Sequence, residues 1–272
     1  ISEDPAKDGV NWYVYCGGNP ISFVDPLGLS PGDLIESSLN GLSEENIYNI
    51  NLAIEERKKG IISREEAARN IIQNGGSVEK GEPIAVEEKD NVIIINAYVN
   101  ANIKYVYNSK YIRRDEARSF DDYINESIQG IEESWSGQYN GKMIKTNVVL
   151  VDDSDSCIYE SINLTIMGES GASEASILGK NRDITLRIGS GAGLFTSEEF
   201  KLAAAHEFGH SAFRLNHVRP KVHSVMNTGV SSPRNRSEVD FALMATSDVF
   251  KGTSIYSPKS QASVVDEYYN KL

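Results

Sequence analysis

The sequence predicts an α+β protein, and three observations carry that expectation. Hydrophobic periodicity in the C-terminal two-thirds changes in the order strand, long helix, several strands, helix. No internal repeat accompanies these changes. Of the 272 residues 40% are hydrophobic, with 22 Gly, 8 Pro and 2 Cys, an ordinary globular composition that sets aside collagen, coiled coil, disulfide scaffold and wholesale disorder.

The first thirty residues read as turns and short strands. Asp4-Pro5, Gly17-Gly18-Asn19-Pro20 and Asp25-Pro26-Leu27-Gly28 are turn signals, with a β-prone run Trp12-Tyr13-Val14-Tyr15 between them. Taken in order, Ile1-Ser2-Glu3-Asp4-Pro5, Asn11 to Pro20 and Asp25-Pro26-Leu27-Gly28-Leu29 resemble the end of the core of Rhs/YD-repeat proteins. In that family a hollow β-shell ends in an Asp-Pro-x-Gly-Leu motif, and a variable toxin domain follows, often released by self-cleavage after the motif's Leu. The resemblance covers residues 1–29 and implies Asp4, Asp25 and Leu29 as candidates for self-cleavage, with Asp4 and Asp25 read equally as turn formers. The first copy departs from the motif, reading Asp4-Pro5-Ala6-Lys7-Asp8.

From residue 30 the pattern turns helical and polar. Ser43-Glu44-Glu45 opens a run ending near Lys59-Gly60, and Ser63-Arg64-Glu65-Glu66 opens another that stops at Gly75-Gly76, each with a capping start and a glycine stop. Residues 30–89 are therefore expected to be a helical linker or pre-toxin segment, and 90–272 the main domain. Within it, Asn91 to Ile103 reads as β-rich and Asp115 to Trp135 as an amphipathic helix with Phe120, Tyr123, Ile124, Ile128 and Ile131 on one face. Ile144 to Val151, Ile158 to Ile166 and Asp183 to Ile188 read as strands. A further helix begins near Ser197, with Thr196 and Glu199 as its capping box. A last one is expected over Ser237 to Phe250.

Composition also narrows the function. A formal charge of -12 argues against a general nucleic-acid binder, which needs clustered Lys and Arg. The longest apolar stretch, Val92 to Val99, falls short of the roughly 18–20 residues of a membrane span. No secretory signal opens the chain, and Cys16 and Cys157 suit a reducing compartment. Asp152-Asp153-Ser154-Asp155 does not fit a calcium loop, and Gly189-Ser190-Gly191-Ala192-Gly193 reads as a flexible loop bordering a cleft rather than a phosphate cradle.

The chemistry concentrates in one place. All four histidines, His206, His210, His217 and His223, fall within eighteen consecutive positions. His206-Glu207-Phe208-Gly209-His210 is an H-E-x-x-H motif: imidazoles four apart on a helix share one face and reach one ion, and Glu207 stands beside it. By itself the motif reads equally as a helix with two incidental histidines; as a zinc site, the metal would lower the pKa of a bound water toward ~7 and polarise the scissile carbonyl, and Glu207 would take the proton as general base and later donate it.

With its preceding element order and the downstream His223-Ser224-Val225-Met226-Asn227, this region resembles the metzincin clan of zinc endopeptidases over roughly residues 90–252. The resemblance implies a mixed twisted sheet, a long backing helix, an active-site helix, a sharp turn to a third histidine, a Met-turn with Met226 as hydrophobic floor, and a C-terminal helix. The clan's spacing would place a glycine at Phe213 and the third ligand at Asn216, whereas the next histidine is His217. A helix running one residue further and turning at Leu215-Asn216, with Asn216 left-handed, would deliver His217 instead. His217 is thus expected as third ligand, with His223 as the alternative. Glu238 or Asp240 would make a thermolysin-like arrangement. Thr228 stands where some metzincins carry a zinc-binding tyrosine.

The resemblances together imply a zinc-dependent endopeptidase toxin, secreted and delivered into a target cell, acting in its cytoplasm on a protein or peptide substrate. A cognate immunity protein and the Rhs core shell are the implied partners, with no nucleic acid and no membrane span. Substrate is expected to add as a strand along Asp183 to Ile188. A catalytically inactive Rhs tip that acts by binding is the alternative from another class.

Overall fold

A computed structural model describes residues 39, 41–78, 80–104, 117–152, 158–176, 182–191, 193–218, 223–227 and 237–270. Asp4, Cys16, Asp25, Leu29, Cys157 and Thr228 lie outside them, so the expectations placed on them do too. The chain divides into two compact units, residues 1–81 with 155–159 and residues 82–154 with 160–272.

The first unit holds two of the expected helices, α1 (Glu44–Lys58) and α2 (Arg64–Gln73). Each begins where a serine side chain satisfies an orphan amide: Ser43 Oγ accepts from Asn46 N–H, and Ser63 Oγ from Glu66 N–H. Ile50, Ala53, Ile54 and Ile71 form the core between them. None of the described helices is long and apolar enough to cross a membrane.

The second unit is α+β, built on one mixed sheet. Its strands are β1 (Ile84–Lys89), β2 (Val92–Lys104), β3 (Gly137–Tyr139), β4 (Lys142–Leu150), β5 (Ile162–Ser170), β6 (Glu174–Ala175), β7 (Asp183–Ser190) and β8 (Gly193–Leu194). The order is β3-β4-β2-β5-β7-β6, with β1 on β2 and β8 on β7. The thirteen-residue β2 is long enough to pair in parallel with β4 over one edge while its other edge takes β1 antiparallel and then β5 parallel. Parallel pairing needs crossovers, and α3 (Phe120–Ser134) supplies the one between β2 and β4. Asn140 and Gly141, at φ 49 and 76, close the two-residue β3–β4 hairpin in the left-handed conformation that an Asn-Gly pair tolerates.

Beyond β3 the outer edge of β4 is covered by side chains. Ser136 Oγ accepts from Thr146 N–H at 2.9 Å and Glu132 Oε1 from Val148 N–H at 2.8 Å.

Several expectations shift. The strand expected over Ile158 to Ile166 is β5 and starts at Ile162, while Ile158 and Tyr159 belong to the first unit. The helix expected from Asp115 begins at Phe120, because Ser119 and Asp122 close a capping box there. The helix expected over Ser237 to Phe250 is α5 (Glu238–Met244) followed by a 3-10 turn at Asp248–Phe250, and α6 (Gln261–Tyr269) was not anticipated. Strand addition on Asp183 to Ile188 is corrected as well, since β7 pairs with β5 on one side and with β6 and β8 on the other. Between these pairings, Arg187 N–H donates to Ser173 Oγ, and Phe195 N–H donates to the Ile188 carbonyl.

Candidate metal centre

The expected histidine helix is α4 (Ser197–Phe213). Thr196 and Glu199 form its capping box: Thr196 N–H donates to Glu199 Oε2 at 2.8 Å, and Glu199 N–H to Thr196 Oγ1 at 3.3 Å. Arg118 fixes the entry from outside, donating to the Phe195 carbonyl at 3.0 Å. From Ala203 to Phe213 every residue is buried, so the helix runs through the interior, as an apolar face all round requires. Two glycines permit this depth. A Cβ on Gly130 of α3 would stand 2.3 Å from the Lys201 carbonyl oxygen, and one on Gly209 would stand 2.5 Å from Met226 Sδ and 2.7 Å from Trp135 Cζ2.

The helix turns two residues earlier than expected. Arg214, not Asn216, takes the left-handed conformation at φ 57, and Leu215 N–H returns to the Gly209 carbonyl at 3.2 Å. Arg182 donates to the Ser211 and Ala212 carbonyls at 3.1 and 2.6 Å, placing a cation on acceptors the last turn leaves open. The chain thereby reverses fast enough for His217 to come back over the helix.

Three imidazoles then converge. The Nε2 atoms of His206 and His210 are 3.1 Å apart, those of His206 and His217 3.1 Å, and those of His210 and His217 3.0 Å. His206 and His210 are buried and His217 is exposed, so the triangle opens toward solvent on the His217 side. The outward nitrogens of the helical pair decide the tautomers. His206 Nδ1 lies 2.7 Å from the Val225 carbonyl and His210 Nδ1 2.6 Å from the Leu215 carbonyl. A carbonyl only accepts, so both Nδ1 atoms carry the proton and both neutral rings present a bare Nε2 lone pair to the same point. Burial pulls the His210 pKa below its ordinary value, which favours that neutral form.

Lone pairs facing one another at 3.1 Å repel unless a cation lies between them. Nitrogens about 2.0–2.1 Å from a tetrahedral ion stand roughly 3.3 Å apart, close to the observed triangle. Two rings with backbone carbonyls behind them also match the outer-sphere pattern of histidine ligands. The donor set therefore fits a borderline divalent metal such as zinc. Glu207 lies between the two helical histidines in sequence and is buried, at 7% exposure.

The remaining candidates lie elsewhere. His223 is exposed, and its carbonyl accepts from Ser237 Oγ; it is not part of the triangle. Glu238, at the first turn of α5, is exposed and also outside it. Asp240 is fully buried, and its carboxylate serves both the residues before Met226 and the cap of its own helix: it accepts from Ser224 Oγ, from Val225 N–H at 3.2 Å and from Ser237 N–H at 2.9 Å. The two carboxylate alternatives thus give way to a third histidine. Asp240 has a role that its sequence position alone does not reveal: Met226 N–H, in the same peptide plane as the Val225 carbonyl that orients His206, donates to Ser224 Oγ at 2.9 Å, and Ser224 Oγ in turn donates to Asp240. Met226 is fully buried, its Sδ against Gly209, which stands between His206 and His210 in the sequence.

Comparison with protein-family models and with curated proteins finds no match. The site and the α+β fold thus stand on their own geometry.

Proposed function

We propose that this chain is a metal-dependent peptidase of metzincin-like design. The observation that carries the reading is the triangle of Nε2 atoms, with Glu207 on the helical turn between two of its corners. The turn at Arg214, the buried Met226 and the short α5 helix support the clan-level form of it.

His206, His210 and His217 would hold zinc, which when bound supplies Lewis acidity toward a carbonyl oxygen and acidifies water. The protein's own groups do the rest. Val225 and Leu215 carbonyls lock the two helical rings in their ligating tautomer. Buried Glu207 takes a proton from the attacking water at its carboxylate and passes it to the amide nitrogen as the carbon–nitrogen bond breaks.

The Rhs-like residues 1–29 support a further reading, that the peptidase is the cargo of a delivered toxin, acts on a protein in the target cell and is restrained in its producer by an immunity protein. The test of the catalytic reading is Glu207→Gln. It should keep zinc affinity within a few-fold and lower peptide-bond cleavage in a target lysate by about 10²–10⁴, read as new peptide termini by mass spectrometry. Full cleavage by a zinc-loaded Glu207→Gln protein would refute the mechanism and leave the metal site standing.

A further inference from the structure

Both carbonyls that orient the helical imidazoles sit on irregular backbone, where nothing in the local sequence dictates their direction. Asp240, through Ser224 Oγ and Met226 N–H, holds the peptide of the one at Val225. The one at Leu215 lies in a three-residue bridge from the end of α4 to His217, whose first residue, Arg214, is left-handed without being glycine. In that bridge Arg214 N–H and Leu215 N–H both return to the Gly209 carbonyl, and past His217 Val218 N–H donates to the Met226 carbonyl at 3.0 Å.

Resting on the metal-site reading, we propose that Gln261, the first residue of α6, is a positioning residue for the centre, its side-chain amide clasping the backbone on both sides of Leu215. Gln261 Oε1 accepts from Asn216 N–H at 2.8 Å, and Gln261 Nε2 donates to the Arg214 carbonyl at 2.9 Å. The amide cannot be reversed, since a carbonyl only accepts and a peptide N–H only donates. The two contacts fix the peptide planes before and after Leu215, and so the direction of the carbonyl behind His210 and the approach of His217.

The clasp has its own anchor. Ser260 Oγ caps α6 by accepting from Ser263 N–H at 3.2 Å, and Val264 packs one turn on in the core. The helix and the ligand loop lie side by side, lining one cleft with Asn216, His217 and Val218 opposite Gln261, Val265 and Asp266. Gln261 stands outside the histidine triangle and acts through the loop.

The experiment uses the full chain and reads three quantities: zinc affinity by chelator competition, the visible spectrum of the cobalt(II) form, and urea unfolding of the metal-free protein. Gln261→Met keeps the length and removes both contacts. Gln261→Glu keeps an acceptor for Asn216 N–H but turns an oxygen toward the Arg214 carbonyl, and it carries the test if the methionine variant does not fold. The expected order of zinc affinity is wild type, then Glu, then Met, with Met about tenfold weaker than wild type. The cobalt spectrum of the variants should change in intensity as coordination changes, and the Met effect should shrink in a His217→Ala background.

Wild-type affinity and spectrum in the variants would overturn the role of Gln261. So would a loss of affinity undiminished in the His217→Ala background, or one that merely tracks unfolding of the metal-free protein. Wild-type protein that takes up neither zinc nor cobalt would overturn the metal reading, and this proposal with it.

Discussion

Gly209→Ala is the perturbation that best separates the local physics of the histidine helix from its tertiary setting. In an isolated helix the exchange stabilises by about 1 kcal/mol, because alanine loses less backbone entropy. In this helix the new methyl would stand 2.5 Å from Met226 Sδ and 2.7 Å from Trp135 Cζ2. Both are fully buried, and the indole is pinned by its Nε1 hydrogen bond to the Ala205 carbonyl at 2.9 Å and by edge contact with Phe213 at 5.1 Å. Forcing a methyl into such packing costs about 1–3 kcal/mol, a range that exceeds the propensity gain over most of its span. The expected net is a loss of about 1 kcal/mol in urea unfolding of the metal-free protein.

Metal binding should fall too. Met226 follows Val225 directly, so displacing it moves the carbonyl behind His206, and zinc affinity should drop about tenfold in chelator competition. Adding Met226→Ala opens space for the methyl. The double variant should therefore be less destabilised than the sum of the singles, with a coupling of about 1 kcal/mol. If Gly209→Ala instead stabilises by about 1 kcal/mol and leaves zinc affinity unchanged, the close approach of Met226 and Trp135 is not what requires a glycine there.

Two further outcomes follow from the same structure. Gly130→Ala places a methyl 2.3 Å from the backbone oxygen of Lys201, which cannot rotate away, so α3 and α4 must separate and urea unfolding should show a loss of about 2–3 kcal/mol; a change below about 0.5 kcal/mol would refute that crossing. Burial raises the pKa of Asp240 against the pull of its Ser224, Ser237 and Val225 donors. The folded state then holds a proton that the unfolded chain releases near pH ~4, so this component of stability falls as pH rises from there through the elevated folded value. Asp240→Asn should flatten that slope relative to wild type in the metal-free protein, and parallel pH–stability curves would show that Asp240 titrates normally.

What the sequence determined is what depends on neighbours within a few residues. His206 and His210 share a face because a helix repeats every 3.6 residues, and Thr196 with Glu199 set its start because a cap is closed across three positions. The same locality made β2, β4 and β7 legible as apolar runs. It also put His217 within reach of the helix, though through a turn expected at Asn216 that the structure places at Arg214.

The choice among four histidines and two carboxylates leans to His217 in the sequence but is fixed by contacts between residues far apart in the chain. Asp240 was a candidate ligand by chemistry and is a loop holder by location. Gln261 carried no signal at all, since a glutamine opening a short helix is unremarkable until Arg214 and Asn216 are seen against it, 47 and 45 residues away. The Asn140-Gly141 hairpin was a local signal that could have been read. The metal-capable triangle is set by tertiary packing: the helix supplies two lone pairs on one face, but only the folded sheet, the buried Met226 loop and the last two helices bring carbonyls behind those rings and a third imidazole in front of them.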